Sequence, residues 1–173
     1  MHILGISCFY HDAAAALLRD GALIAAAEEE RFSRIKHDFG FPERSIAFCL
    51  EEAGIAAGDL DYVVFYEKPF RKFERILMTT LQSFPRSWRT FGEATINWFG
   101  DKLWMKSVIQ AKIGIDPNKI LFEDHHLSHA ASAFYPSPFE EAAILTLDGV
   151  GEWTTAAMGK AKGNDIALTD EIR

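Results

Sequence analysis

The stretch HILGISCFYHDAAAALLRDGALIAAAE, residues 2–28, decides the fold. It holds three short apolar runs, His2 to Phe9, Asp12 to Leu18 and Ala22 to Ala27. The second and third are separated by Asp20-Gly21, and Asp-Gly between two apolar runs is a strong hairpin signal. Three strands joined by tight turns follow. Alanine is a poor strand former, so the alanine-rich second run has helix as its competing reading.

The same arrangement opens again at residue 142. Ala142 to Leu147 is an apolar strand, Asp148-Gly149-Val150-Gly151-Glu152 is a polar, glycine-rich turn, and Thr154 to Met158 pairs back as a hairpin partner. Ile166 to Ile172 begins a further strand. Two matching hairpin openings point to a duplicated unit. The reading is therefore residues 1–140 as a first unit and 141–173 as the start of a second, a fragment of a longer polypeptide.

Between the hairpins the pattern changes. Glu28 to Lys36 is charged and starts a helix or loop. Pro42 opens a helix over Glu43 to Ala53, with Ile46, Leu50 and Ala53 on one face, and Gly54 ends it. Asp61 to Tyr66 is a strand whose continuous apolar content predicts burial on both faces. From Pro69 to about Ile113 the chain is aromatic and helical, with two or three helices broken at Pro85 and near Gly100. This insertion is either a packed helical cap or the wall of an aromatic-lined pocket. Lys119 to Glu123 is another strand. His125 to Tyr135 then forms a helix, capped by Asp124 and closed by Pro136 and Pro138.

Composition narrows the function. A formal net charge of -7 argues against a nucleic-acid footprint, which needs a basic face, although Arg31, Arg34 and Lys36 gather locally. The two cysteines, Cys8 and Cys49, have no metal-type spacing and read as core residues of a reduced, cytoplasmic protein. The N-terminal apolar run lacks a basic leader and is broken by His11 and Asp12, so neither a signal peptide nor a membrane span is expected.

The sharpest chemical signal is DHHLSHA, residues 124–130. On a helix His125 and His129 lie four positions apart and point the same way, the geometry for two ligands of one metal ion. Imidazole suits zinc, iron, nickel or copper, so spacing alone does not choose among them. Locally bonded helix-start histidines are the plainer alternative. His126 points to another face.

Three weaker signals accompany it. Gly5-Ile6-Ser7, followed by His11-Asp12, can present backbone N–H groups to a phosphate. There His11 can act as a general base and Asp12 can orient a hydroxyl. Asp148, Gly149 and Gly151 mirror that turn, and their glycines let the backbone approach a ligand. The run Arg31-Phe32-Ser33-Arg34-Ile35-Lys36-His37 can hold an anion, against the reading of a solvated charged helix end.

Taken together, LGISCFYHDAAAALLRDG, EEERFSRIKHDFGFP, EDHHLSHAASAFYPSPF and ILTLDGVGEWTT resemble the N-terminal region of the O-carbamoyltransferases of nodulation-factor, cephamycin and aminoglycoside carbamoylation. The resemblance runs over nearly the whole chain, four motifs in order, and is thinnest at residues 69–113. It implies a duplicated, ribonuclease-H-like α/β fold of the actin, Hsp70 and sugar-kinase type. It also implies kinship with threonylcarbamoyl-transferring enzymes that share an HxxxH iron site. Under it, a further domain makes carbamoyl adenylate from carbamoyl phosphate and ATP, and the domain seen here passes the carbamoyl group to a hydroxyl of a small-molecule acceptor. His125 and His129 would hold the metal, ferrous iron above others, with a third ligand elsewhere in the polypeptide. His11 and Asp12 would lie at the acceptor and carbamoyl site. Asp148, Gly149 and Gly151 would face the nucleotide phosphates, and Ser7, Lys36 and His37, from the phosphate- and anion-binding stretches above, are the further cofactor-binding candidates. The partners implied are the acceptor and the rest of the same polypeptide, and these 173 residues alone are expected to be inactive. Two readings compete. A kinase or ATPase on the same fold is disfavoured by the histidine pair, since it needs acidic magnesium ligands instead. A non-catalytic metal- or nucleotide-binding module is the other.

Overall fold

The computed structural model describes residues 1–84, 104–149 and 153–172. In chain order its elements are β1 (His2–Ser7), β2 (Ala14–Arg19), β3 (Ala22–Glu28), α1 (Glu30–Ser33), α2 (Glu43–Ala53), β4 (Tyr62–Phe65), α3 (Pro69–Gln82), α4 (Met105–Ile113), β5 (Ile120–Phe122), α5 (His125–Phe134), β6 (Glu141–Leu147), β7 (Ala156–Lys162) and β8 (Asp165–Ile172). The predicted helix breaks at Pro85 and Gly100, and Gly151, lie outside the described residues.

The chain divides into two compact units, Met1–Tyr66 with Trp104–Phe122, and Glu67–Leu103 with Glu123–Arg173. The first carries a five-stranded sheet in the order β3-β2-β1-β4-β5. β1, β2 and β3 are antiparallel neighbours, while β1, β4 and β5 run parallel. The Asp20-Gly21 turn explains the tight return from β2 to β3. Both residues have positive φ, 52° and 84°, as a type I′ turn requires. The alanine-rich second run is a strand, because its pairing on both sides decides the backbone where alanine's own preference is weak.

Register places the core. Leu4 faces Leu17 and Val63 across the sheet, Ile6 faces Ala15 and Phe65, and Val63 faces Ile120. All are buried on one face. The expectation that β4 would be buried on both faces is corrected here. Val63 and Phe65 are buried, whereas Tyr62 is 39% exposed, because the apolar cluster gathers on one side only.

Helix α2 covers β2 and β3. Its buried face is Ile46 and Cys49, with Leu50 and Ala53 half-buried, and Gly54 closes it at φ 66°. The Cys49 thiol donates toward the Ala15 and Ala25 carbonyls at 3.6 and 3.7 Å. Its burial pushes that thiol's pKa up. The helix start is anchored from a distance. Glu29, 5% exposed, accepts from the Arg44 and Ser45 N–H groups and from the Ser45 hydroxyl. A carboxylate on the open N–H groups of a first turn is charge-assisted and favoured by the helix dipole.

The second unit carries a three-stranded antiparallel sheet, β6-β7-β8. Its returning strand β7 runs Ala156–Lys162, starting and ending later than the sequence suggests. Helix α5 packs on this sheet. Among the described residues no helix is long and apolar enough to cross a membrane.

Candidate metal centre

Helix α5 begins two residues after β5, with Asp124 in the N-cap position and its carbonyl accepting from the Ser128 N–H at 2.8 Å. The Asp124 side chain does not cap the helix, contrary to the sequence reading. Its Oδ2 instead accepts from Arg71 Nη1 at 2.6 Å. A charge-assisted bond to guanidinium outcompetes one to a neutral amide.

The helix buries His126, Ala130 and Phe134, which recur every fourth residue. His126 is 3% exposed and both ring nitrogens are engaged. Nε2 lies 2.6 Å from the Thr154 carbonyl, and Nδ1 lies 2.7 Å from Thr146 Oγ1. A carbonyl only accepts, so the proton sits on Nε2 and Nδ1 accepts from the threonine hydroxyl. His126 therefore ties α5 to β6 and to the segment at Thr154.

The neighbouring face carries the other two histidines. His125 Nε2 and His129 Nε2 are 3.2 Å apart, with the rings nearly perpendicular. Asp148, one residue beyond β6, brings Oδ2 to 2.7 Å from His125 Nε2. Its own N–H donates to the Thr155 carbonyl at 2.8 Å, which ties it to the segment leading into β7. The donor atoms of His125, His129 and Asp148 all lie within 4.8 Å of one another. Bonds of about 2.0–2.2 Å to one ion would separate adjacent donors by roughly 3 Å, so the three could be ligands of one ion with little movement. Partial burial and the neighbouring His125 hold the His129 imidazole below the usual histidine range. That keeps it in the neutral form that coordinates. Two imidazoles and one carboxylate are a donor set suited to ferrous iron or zinc. Beside His125 opens a polar cleft of about 260 Å³, bounded by Arg71, Asp124, Trp153 and Glu171.

Sequence reading placed Asp148 among the phosphate-facing residues and missed its position beside the histidine pair. Gly149 follows it with open space around its Cα. The remaining predicted site residues lie in the first unit. Asp12 Oδ1 meets His37 Nδ1 at 2.9 Å, although the two are 25 residues apart. The Ser7 hydroxyl is 3.4 Å from the Asp12 carbonyl. His11 packs edge-on against Tyr10, and Lys36 is exposed.

The family model described as carbamoyltransferase N-terminus matches residues 2–173. The Nodulation protein NolNO of Sinorhizobium fredii is 38% identical over 91% of this chain and 22% of its own length. A Synechocystis protein, sll1178, is 52% identical over 99% of this chain and 29% of its own. The chain thus spans less than a third of either relative. Among solved structures, YeaZ from Pseudomonas aeruginosa aligns with a TM-score of 0.50 at 14% identity, over 99% of this chain and 65% of that one. At that identity the likeness speaks to the mixed α/β, ribonuclease-H-like fold and to nothing further.

Proposed function

We propose, from the premise that this chain belongs to the carbamoyltransferase N-terminus family, that it is the N-terminal part of an ATP-dependent O-carbamoyltransferase. Carbamoyl adenylate, made from carbamoyl phosphate and ATP elsewhere in the polypeptide, is the donor. A hydroxyl of a small molecule is the acceptor.

The observation that carries this reading is the convergence of His125 Nε2, His129 Nε2 and Asp148 Oδ2. These residues would hold a divalent ion, ferrous iron in the first instance, which when bound supplies Lewis acidity toward a carbamoyl or phosphate oxygen. The chain's own groups do the rest. His126 fixes the helix against β6, which keeps Asp148 and the histidines in register. The cleft beside His125 gives the reactants a polar pocket, with the Arg71–Asp124 pair on its wall.

The fold we assign is the duplicated form, with β1–β5 in the first copy and β6–β8 opening the second. Two observations support it. The antiparallel trio β6-β7-β8 repeats the trio β1-β2-β3. One face of the second sheet leaves Leu145 62% and Leu147 72% exposed, an apolar surface that further strands and helices of the same polypeptide would cover.

The test uses the full-length enzyme with labelled carbamoyl phosphate, ATP and a hydroxylated acceptor. Label should pass to the acceptor only with ATP, and His125→Ala/His129→Ala should stop it. Equal transfer by the double variant would overturn the reading.

A further inference from the structure

Helix α5 is held at its start from outside. His125 is its first residue, and the N–H groups of a first turn have no partner within their own helix. An aspartate in the N-cap position ordinarily turns its carboxylate back onto one of them. Asp124 stands in that position and makes no such bond. Its Oδ2 accepts instead from Arg71 Nη1 at 2.6 Å. The residue before it adds to this anchor. Glu123 Oε1 accepts from the Asp124 N–H at 2.8 Å and lies 4.0 Å from Lys68 Nζ. Lys68 is the N-cap residue of α3, and Arg71 lies in that helix's first turn. Two adjacent carboxylates before α5 thus meet two cations at the start of α3, and all four residues belong to the second unit.

The arrangement costs local stability on both sides. Helix α5 forgoes its side-chain cap, and α3 carries cations at its positive end with no acid in its first turn. The Arg71 and Asp124 side chains are 54% and 25% exposed, so their pair contributes little stability in return. Local rules broken at both partners mark a functional arrangement rather than a stabilising one.

What the pair fixes is the residue next to it. His125 follows Asp124 directly, and its Nε2 must meet His129 Nε2 at 3.2 Å and Asp148 Oδ2 at 2.7 Å. His129 lies a full turn inside the helix, whereas His125 sits at its end, where helices fray. We infer that Arg71 is a positioning residue of the metal centre. Its ion pair with Asp124 sets the start of α5, and with it the direction of His125. The inference rests on the metal-site reading given under the proposed function.

The test is a double-mutant cycle on ferrous-iron affinity, by anaerobic equilibrium dialysis of the full-length protein. Arg71→Met keeps a long, helix-favouring side chain and removes the charge. Asp124→Asn keeps a good N-cap residue and removes the carboxylate. Each should weaken iron binding about tenfold, the size expected when a group that orients a ligand is lost. The double variant should bind no more weakly than the poorer single, because both changes break one link. Arg71→Lys keeps the charge without the planar fork and should restore part of the loss. Amide exchange of β6–β8 should match wild type throughout, which separates lost position from lost fold.

Wild-type affinity in both single variants would overturn the inference, as would effects that add in the double variant or no recovery in Arg71→Lys. Faster β6–β8 exchange accompanying the loss would make Arg71 a structural residue only, and would overturn it too. In each of these cases iron held by the wild type leaves the metal centre standing. A wild-type protein that binds no iron would sink both.

Discussion

The two sheets open with the same device and end in different states. In the first unit, β1-β2-β3 is extended by two parallel strands and covered by α2, so Leu4, Leu17 and Val63 are fully buried. In the second, β6-β7-β8 has α5 against it, and the buried strand positions are Thr146, Ala157 and Ala161. The first spends its apolar residues on a core. The second places imidazole, hydroxyl and carboxylate groups where α5 meets the strands. A similar antiparallel trio therefore serves a core in one unit and a polar site in the other.

The comparison can be broken first at the site. Asp148→Asn should weaken ferrous-iron affinity at least tenfold, read by equilibrium dialysis under anaerobic conditions. Amide exchange protection of β1–β5 should not change. A loss of protection there would mean that the two units do not divide the labour as argued.

Next comes Glu29→Ala in the first unit. It leaves the Arg44 and Ser45 N–H groups and the Ser45 hydroxyl without their carboxylate. The expected cost is about 2–3 kcal/mol, measured by urea unfolding. Iron binding should be retained.

Gly159→Ala tests the second sheet. A Cβ there would sit 2.1 Å from the Ala167 carbonyl oxygen, beside the irregularity between Met158 and Gly159. The backbone must shift, at a cost of roughly 1–3 kcal/mol, and β7–β8 exchange should quicken ahead of β1–β5.

The smallest change is Gly21→Ala, at φ 84° with open space around it. About 1 kcal/mol of destabilisation is expected from backbone conformation alone, visible as a small fall in Tm.

What the sequence made legible was local. The Asp20-Gly21 turn, the α2 helix with its Gly54 stop, and the His125/His129 spacing each depend on residues a few positions apart. What it hid was pairing at a distance. Asp148 reaches His125 across 23 residues, Asp12 reaches His37 across 25, and Glu29 anchors the start of α2 from 15 and 16 residues away. None of these leaves a periodic trace. The Asp124 side chain shows the same limit in reverse. Its position before α5 marks it as a cap, yet Arg71, 53 residues earlier, holds it. The two-sided burial expected of β4 failed for a related reason. A continuous apolar run does not say which face the core will occupy.

The most direct test of the metal centre is metal analysis of the purified chain after anaerobic incubation with ferrous iron, wild type beside His125→Ala/His129→Ala. One ion per chain in the wild type, lost in the double variant, is the predicted result. Equal iron in both would contradict the account.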